Sequence, residues 1–156
     1  MEVMMETVKD ILAAKGREVI SVDQDATLIA AIEIMAEKNV GSVLVLDAKG
    51  AIQGIFSERD FVRKIIIKGR TMETTKVKEI MTSHVLYVET DTTLSDCMNL
   101  MTEKRVRHLP VLEGGKPVGI VSIGDVVKAV LRQQELVINQ QAAEIGQLER
   151  YTTGIL

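Results

Sequence analysis

The chain has 156 residues, enough for one compact domain or for two small repeats that bury surface together. Apolar residues make up 46%, charged residues 26% and aromatics 3%, with no Trp and a formal net charge of -3. That balance argues against the strongly basic faces and aromatic stacking platforms of nucleic-acid binders, and no run approaches the roughly 18 apolar residues needed to span a bilayer.

The opening segment carries Glu2, Glu6 and Lys9 and lacks a basic start followed by an apolar stretch, so it does not read as a signal peptide. No membrane partner and a reducing, cytoplasmic location are the expectations. The single cysteine, Cys97, excludes an intrachain disulfide framework. Leu94, Met98 and Met101 place it on an apolar helical face, which fits core packing and also leaves a reactive thiol open.

An internal repeat organises the chain. Val19–Val22 lies over Val85–Val88, and the match runs on through Asp25/Asp91, Thr27/Thr93, Leu28/Leu94, Met35/Met101 and Val40/Val106 to Val45-Leu46/Val111-Leu112. After one residue lost in a turn, Gly54-Ile-Phe-Ser-Glu-Arg-Asp60 lies on Gly119-Ile-Val-Ser-Ile-Gly-Asp125. The lead-ins recur as well, Val8–Leu12 against Val77–Met81.

In chain order each copy predicts the same elements. Val19–Val22 and Val85–Val88 are short β-type stretches. Asp25, Thr27, Asp91 and Thr93 offer helix caps ahead of apolar residues at helical spacing. Val43–Leu46 and Leu109–Leu112 are continuous apolar runs suited to buried strands. Asp47–Gly50 and Glu113–Lys116 read as hairpin turns. Ile52–Phe56 and Val118–Val121 are third strands that run into helices near Ser57 and Ser122. The fold class is therefore α+β, a tandem β-α-β-β-α duplication. Its parts are residues 1–67, a polar linker 68–76, a second repeat 77–132 and a helical tail 133–156. Each copy alone is marginal in size, so the two are expected to pack together and share a core. The tail bears Val137, Ile138, Ala142, Ile145 and Leu148 at one-stripe spacing, fitting a dimer contact or an arm on the module, with Gly146 weakening the helix.

These residues resemble the CBS domain and its tandem pair, the Bateman module, of the stand-alone type. The resemblance rests on Gly-Ile-x-Ser-x-x-Asp in both copies, on Arg105-Val-Arg-His-Leu-Pro-Val111 and on Ile80-Met81-Thr82. It implies pseudo-twofold symmetry and two clefts between the repeats that hold AMP, ADP, ATP, NAD or S-adenosyl compounds. Carried over, one cleft uses Ile120, Ser122 and Asp125 against Gly16, Val19, Ile20 and Val40. The other uses Ile55, Ser57 and Asp60 against Lys78, Val85, Leu86 and Val106. Arg107 and His108 fall where relatives place phosphate ligands, with Arg59, Arg63 and Lys64 as further helpers. A homodimer and an unidentified regulated enzyme or transporter are implied partners.

The chemistry suits the residue types. An ionised Asp accepts both hydroxyls of a ribose, Val and Ile walls suit adenine, and the Arg fork suits phosphate. Two plainer readings stand beside these. Ser-x-x-Asp at a strand-to-helix junction is also a capping box. Arg107 and His108 also fit a solvated strand edge; their partners in the first copy are Gly41 and Ser42, so the two clefts are unequal. The basic stretch from Arg63 to Lys78 reads as a solvated linker, or as a phosphate or partner contact. His84 and His108, the only histidines, lack further ligands at metal spacing, so no metal site is expected. With no Gly-rich phosphate loop and no nucleophile–base arrangement, the chain is expected not to be an enzyme. The leading expectation is a ligand sensor, in which nucleotide bound between the repeats changes their packing and a partner reads the change; its rival is an adaptor with the same fold and empty clefts.

Overall fold

The structure, a computed structural model, describes residues 6–153. Glu2 and the end of the expected tail, 154–156, lie outside the described residues. The first half contains α1 (Val8–Lys15), β1 (Ser21–Asp23), α2 (Leu28–Lys38), β2 (Ser42–Leu46), β3 (Ile52–Ser57) and α3 (Glu58–Asp60), which continues as a π-helical turn over Phe61–Ile66. A 3₁₀ turn at Val77–Glu79 leads to β4 (Val88–Glu89), α4 (Leu94–Lys104), β5 (His108–Glu113), β6 (Lys116–Ser122) and α5 (Ile123–Thr153).

The two halves are copies in detail. Each sheet runs in sequence order, with a parallel first pair and an antiparallel second pair. The register shifts at matching places, Val45/Leu46 and Val111/Leu112. Thr27 and Thr93 cap α2 and α4, their hydroxyls accepting from Ala30 and Asp96 N–H. Both helices end on a left-handed residue, Asn39 at φ 53° and Arg105 at φ 54°. The first strands are shorter than the sequence suggests. Val19, Ile20, Val85 and Leu86 precede the ladders, although Ile20 C=O still accepts from Leu44 N–H at 3.1 Å. The tail continues α5 as helix straight through Gly146. One glycine costs a helix about 1 kcal/mol, too little to end one 31 residues long.

The expected single core is replaced by two, and the lead-ins are exchanged between them. Val8, Ile11 and Leu12 pack with Val88, Leu94, Cys97, Leu109 and Val121 of the second half. Val77 and Ile80 pack with Leu28, Val43, Val45 and Phe56 of the first. Backbone bonds repeat the exchange: Val8 N–H donates to Thr92 C=O at 2.9 Å and Val77 N–H to Ala26 C=O at 2.9 Å. Lys9 and Lys78 do the same to Thr90 and Gln24. Gly119 and Gly54 make room for the visitors, since a Cβ there would lie 2.7 Å from Leu12 Cδ2 and 2.6 Å from Met81 Sδ. Each half thus completes its core with a segment that precedes the other half in sequence. Among the described residues no helix is long and apolar enough to cross a membrane.

Candidate functional site

Both Ser-x-x-Asp motifs form at the end of a third strand, where the backbone turns into a helix. Both are capping boxes. Ser57 N–H donates to Asp60 Oδ2 at 3.0 Å and Ser122 N–H to Asp125 Oδ2 at 2.8 Å. In return Asp60 and Asp125 N–H reach the serine hydroxyls at 3.4 and 3.2 Å. The plainer sequence reading is therefore present in the structure, and the second oxygen of each carboxylate decides what else the acid can do.

At Asp60 that oxygen is occupied. Oδ1 accepts from Thr82 Oγ1 at 3.1 Å and pairs with Lys64 Nζ at 3.1 Å, and the residue is 8% exposed. Lys64 also donates to Ile80 C=O, and Thr82 exchanges backbone bonds with Ile55 at 3.0 and 2.9 Å. Lys78, expected beside this acid, places its ammonium 2.8 Å from Asp25 Oδ1. That contact lowers the Asp25 pKa and raises that of Lys78, chiefly through their hydrogen bond. Val85 lines a hollow of about 350 Å³ with Ile52, Ser83, His84, Tyr87 and Leu112, whereas Leu86 and Val106 pack on the second core.

Asp125 is held by a single foreign side chain. Lys15 Nζ lies 2.7 Å from Oδ2 and 2.8 Å from Ile120 C=O, and among the described residues no donor is bonded to Oδ1. Burial pushes the Asp125 pKa up, but the bonds from Lys15 and Ser122 outweigh it and hold the carboxyl below its usual value. Gly16, next in the chain, has φ 100° and open surroundings. Val19 is half-buried, and Ile20 and Val40 pack on the first core.

His108 stands between the halves. A Cβ on Gly41 would lie 3.2 Å from His108 Nε2 and 3.8 Å from Glu58 Cδ. Burial lowers the imidazole pKa, with Glu58 and Asp125 opposing and Lys15 and Arg107 assisting, so the ring is neutral near pH 7. Gly41 and Glu58 also rim an apolar hollow of about 300 Å³ walled by Ile32, Met35, Val40, Phe56 and Phe61. That volume sits at the small end of ligand sites. Arg107 is exposed, and its C=O caps Ile123 N–H at 2.9 Å. The side chain of Arg59 is committed to Arg105 C=O at 2.8 Å.

The structure thus gathers Ile120, Ser122, Asp125, His108 and the backbone of Arg107 around the Lys15–Gly16 end of α1. Lys15, Gly41, Glu58 and Thr82 are the residues the motif reading missed. Thr82 was signalled only as part of Ile80-Met81-Thr82, and the extended lead-in match, which sets Lys15 against His84 and Ala13 against Thr82, gives neither residue a like partner. Among the described residues no group of His, Cys, Asp and Glu is arranged to hold a metal.

Two pseudo-symmetric α+β halves, each presenting a capped Ser-x-x-Asp helix start, define a tandem-repeat α+β module. The family profile of the CBS domain matches residues 7–67 and again 77–132, and the chain belongs to that family. It is 35% identical to the CBS domain-containing protein CBSX3, mitochondrial, of Arabidopsis thaliana, over 95% of this chain and 72% of that protein. Of longer curated relatives the chain spans a smaller part, 34% of one and 26% of another. A solved protein with CBS domains from Burkholderia ambifaria is 47% identical at a TM-score of 0.78, covering 82% of this chain and 96% of that one. A CBS-domain containing protein from Agrobacterium tumefaciens is 40% identical at 0.77, covering 83% and 96%.

Proposed function

We propose that this CBS pair is a non-enzymatic regulatory sensor that takes one adenine nucleotide of the AMP, ADP, ATP or NAD type per chain, in the Asp125 crevice, and modulates a partner enzyme or transporter. The observation that carries the reading is the unequal closure of the two acids. Asp60 has both oxygens bonded inside the protein, whereas among the described residues Asp125 keeps one oxygen unbonded and the other under a half-exposed ammonium. A ribose needs an acceptor for two hydroxyls, and a charge-assisted bond of that kind contributes about 1.5–3 kcal/mol. The apolar hollow rimmed by Gly41 and Glu58 suits a purine, and Arg107 suits its phosphate.

Isothermal titration of the full chain with AMP, ADP, ATP and NAD tests this. At least one should bind with a stoichiometry near one. Asp125→Asn should abolish the binding and Asp60→Asn should leave it intact while lowering stability. The second reading, an adaptor that binds no nucleotide, is favoured by the capping boxes, since both acids already have a structural role. Silence of the wild type toward all four ligands would establish the adaptor.

Val62 and Ile66 in the first half and Val127 and Leu131 in the second lie exposed on equivalent helices, at 51%, 61%, 45% and 54%. Twin apolar faces of this kind suit an isologous pair, so the working form is taken to be a homodimer in a reducing compartment such as the cytoplasm.

A further inference from the structure

The inference rests on the Asp125 crevice being a nucleotide site, and it names the ligand class. Lys15 closes that crevice by two bonds, to Asp125 Oδ2 at 2.7 Å and to Ile120 C=O at 2.8 Å. It ends α1, is followed by Gly16 at φ 100°, and its side chain is 41% exposed, so it can leave without disturbing the buried Leu12. A sugar that takes Asp125 displaces the ammonium. The four-carbon stem keeps the displaced charge beside the crevice, where Arg107 is already present and Asp125 is now engaged. A neutral nucleoside offers that charge nothing, and a sulfonium ligand adds a further positive charge within a few ångströms. A phosphate offers it a counter-ion.

We propose that Lys15 is the specificity-determining residue of the crevice, counter-ion to Asp125 when the site is empty and to the ligand phosphate when it is filled. It selects phosphorylated adenosine over adenosine and over S-adenosylmethionine.

Calorimetric titration of the full-length protein with AMP, adenosine and S-adenosylmethionine provides the test, on wild type, Lys15→Met and Lys15→Arg. Wild type should bind AMP at least about tenfold more tightly than adenosine, and S-adenosylmethionine most weakly. In Lys15→Met, AMP should weaken and adenosine should tighten by up to about fivefold, the worth of one partly exposed ion pair, so that the ratio collapses. Lys15→Arg should keep it. Lys15→Gln carries the same expectation as Lys15→Met, so a folding defect in one variant, read by its thermal melt, leaves the test standing. Binding of AMP and adenosine with a ratio unchanged in the neutral variants overturns the role of Lys15 alone. No binding of any compound by wild type overturns the nucleotide reading and this inference together.

Discussion

Truncating Leu12 to alanine tests the exchanged lead-ins most directly. Leu12 is 1% exposed and packs in the second-half core, with Gly119 of β6 lying so close that it has no room for a Cβ. Leu→Ala removes three carbon groups, and at about 0.8 kcal/mol each the lost transfer free energy is roughly 2.4 kcal/mol. Glycine has no side chain to move into the gap, so a cavity term raises the total to about 3–4 kcal/mol, inside the range for buried leucines. That is a large share of the roughly 5–15 kcal/mol that holds a domain folded. Urea unfolding followed by circular dichroism should report the loss as a lower midpoint at unchanged slope. Hydrogen exchange should find the greatest loss of protection in β4–β6 and α4, far along the chain from the substitution. A cost below about 1 kcal/mol, or lost protection confined to β1–β3, would refute the reasoning.

Gly54→Ala should destabilise by about 1–3 kcal/mol, because the new methyl would meet Thr82 C=O at 2.8 Å, and backbone cannot swing aside; a thermal melt checks it. The Asp125 carboxyl is held below its usual value, so its contribution to stability is complete above the ordinary value of 3.8 and fades as pH falls through the folded one. The gap in unfolding midpoint between wild type and Asp125→Asn should therefore be constant from neutral pH down to about 5 and close below it; a gap that widens on acidification contradicts the sign. Val127→Glu with Leu131→Glu should convert the proposed dimer to monomer in light scattering while the circular dichroism spectrum of the fold is kept, since both side chains are exposed.

Much of the fold was legible because duplication doubles every weak signal. A threonine before an apolar helical stripe is a modest cap signal once; at Thr27 and Thr93 in matched positions it located two helices. The four apolar residues of each central strand marked the middle of each sheet. The exchange of lead-ins was not legible. Local pattern says that Ile11 and Leu12 are apolar, but only the folded chain says that their partners are Val121 and Gly119. The assumption of one shared core followed from size alone, and size does not distinguish a merged core from two cores that trade a segment. In the site, residue types were readable and occupancy was not: no motif states that Thr82 and Lys64 satisfy Asp60, because both come from outside it.

The duplicated frame surrounds its two acids unequally. Superposing the copies sets Lys64 on Ala129 and Thr82 on Ala13. Two alanines in the second set leave Asp125 without the helix partner and the lead-in partner that Asp60 has, and Lys15, two residues further along α1, takes up part of the vacancy. One ammonium on a flexible, 41% exposed stem is a weaker lock than a hydroxyl and an i,i+4 lysine acting together, because a competitor has one side chain to displace at Asp125 and two at Asp60, and ordering a single long stem costs entropy. The acid that is satisfied from within stabilises the fold. Asp125, held by its own capping box and one lysine, remains able to exchange that lysine for another partner, and the proposed sensor needs such an exchange, since a ligand shifts an equilibrium only by binding one state better than the other.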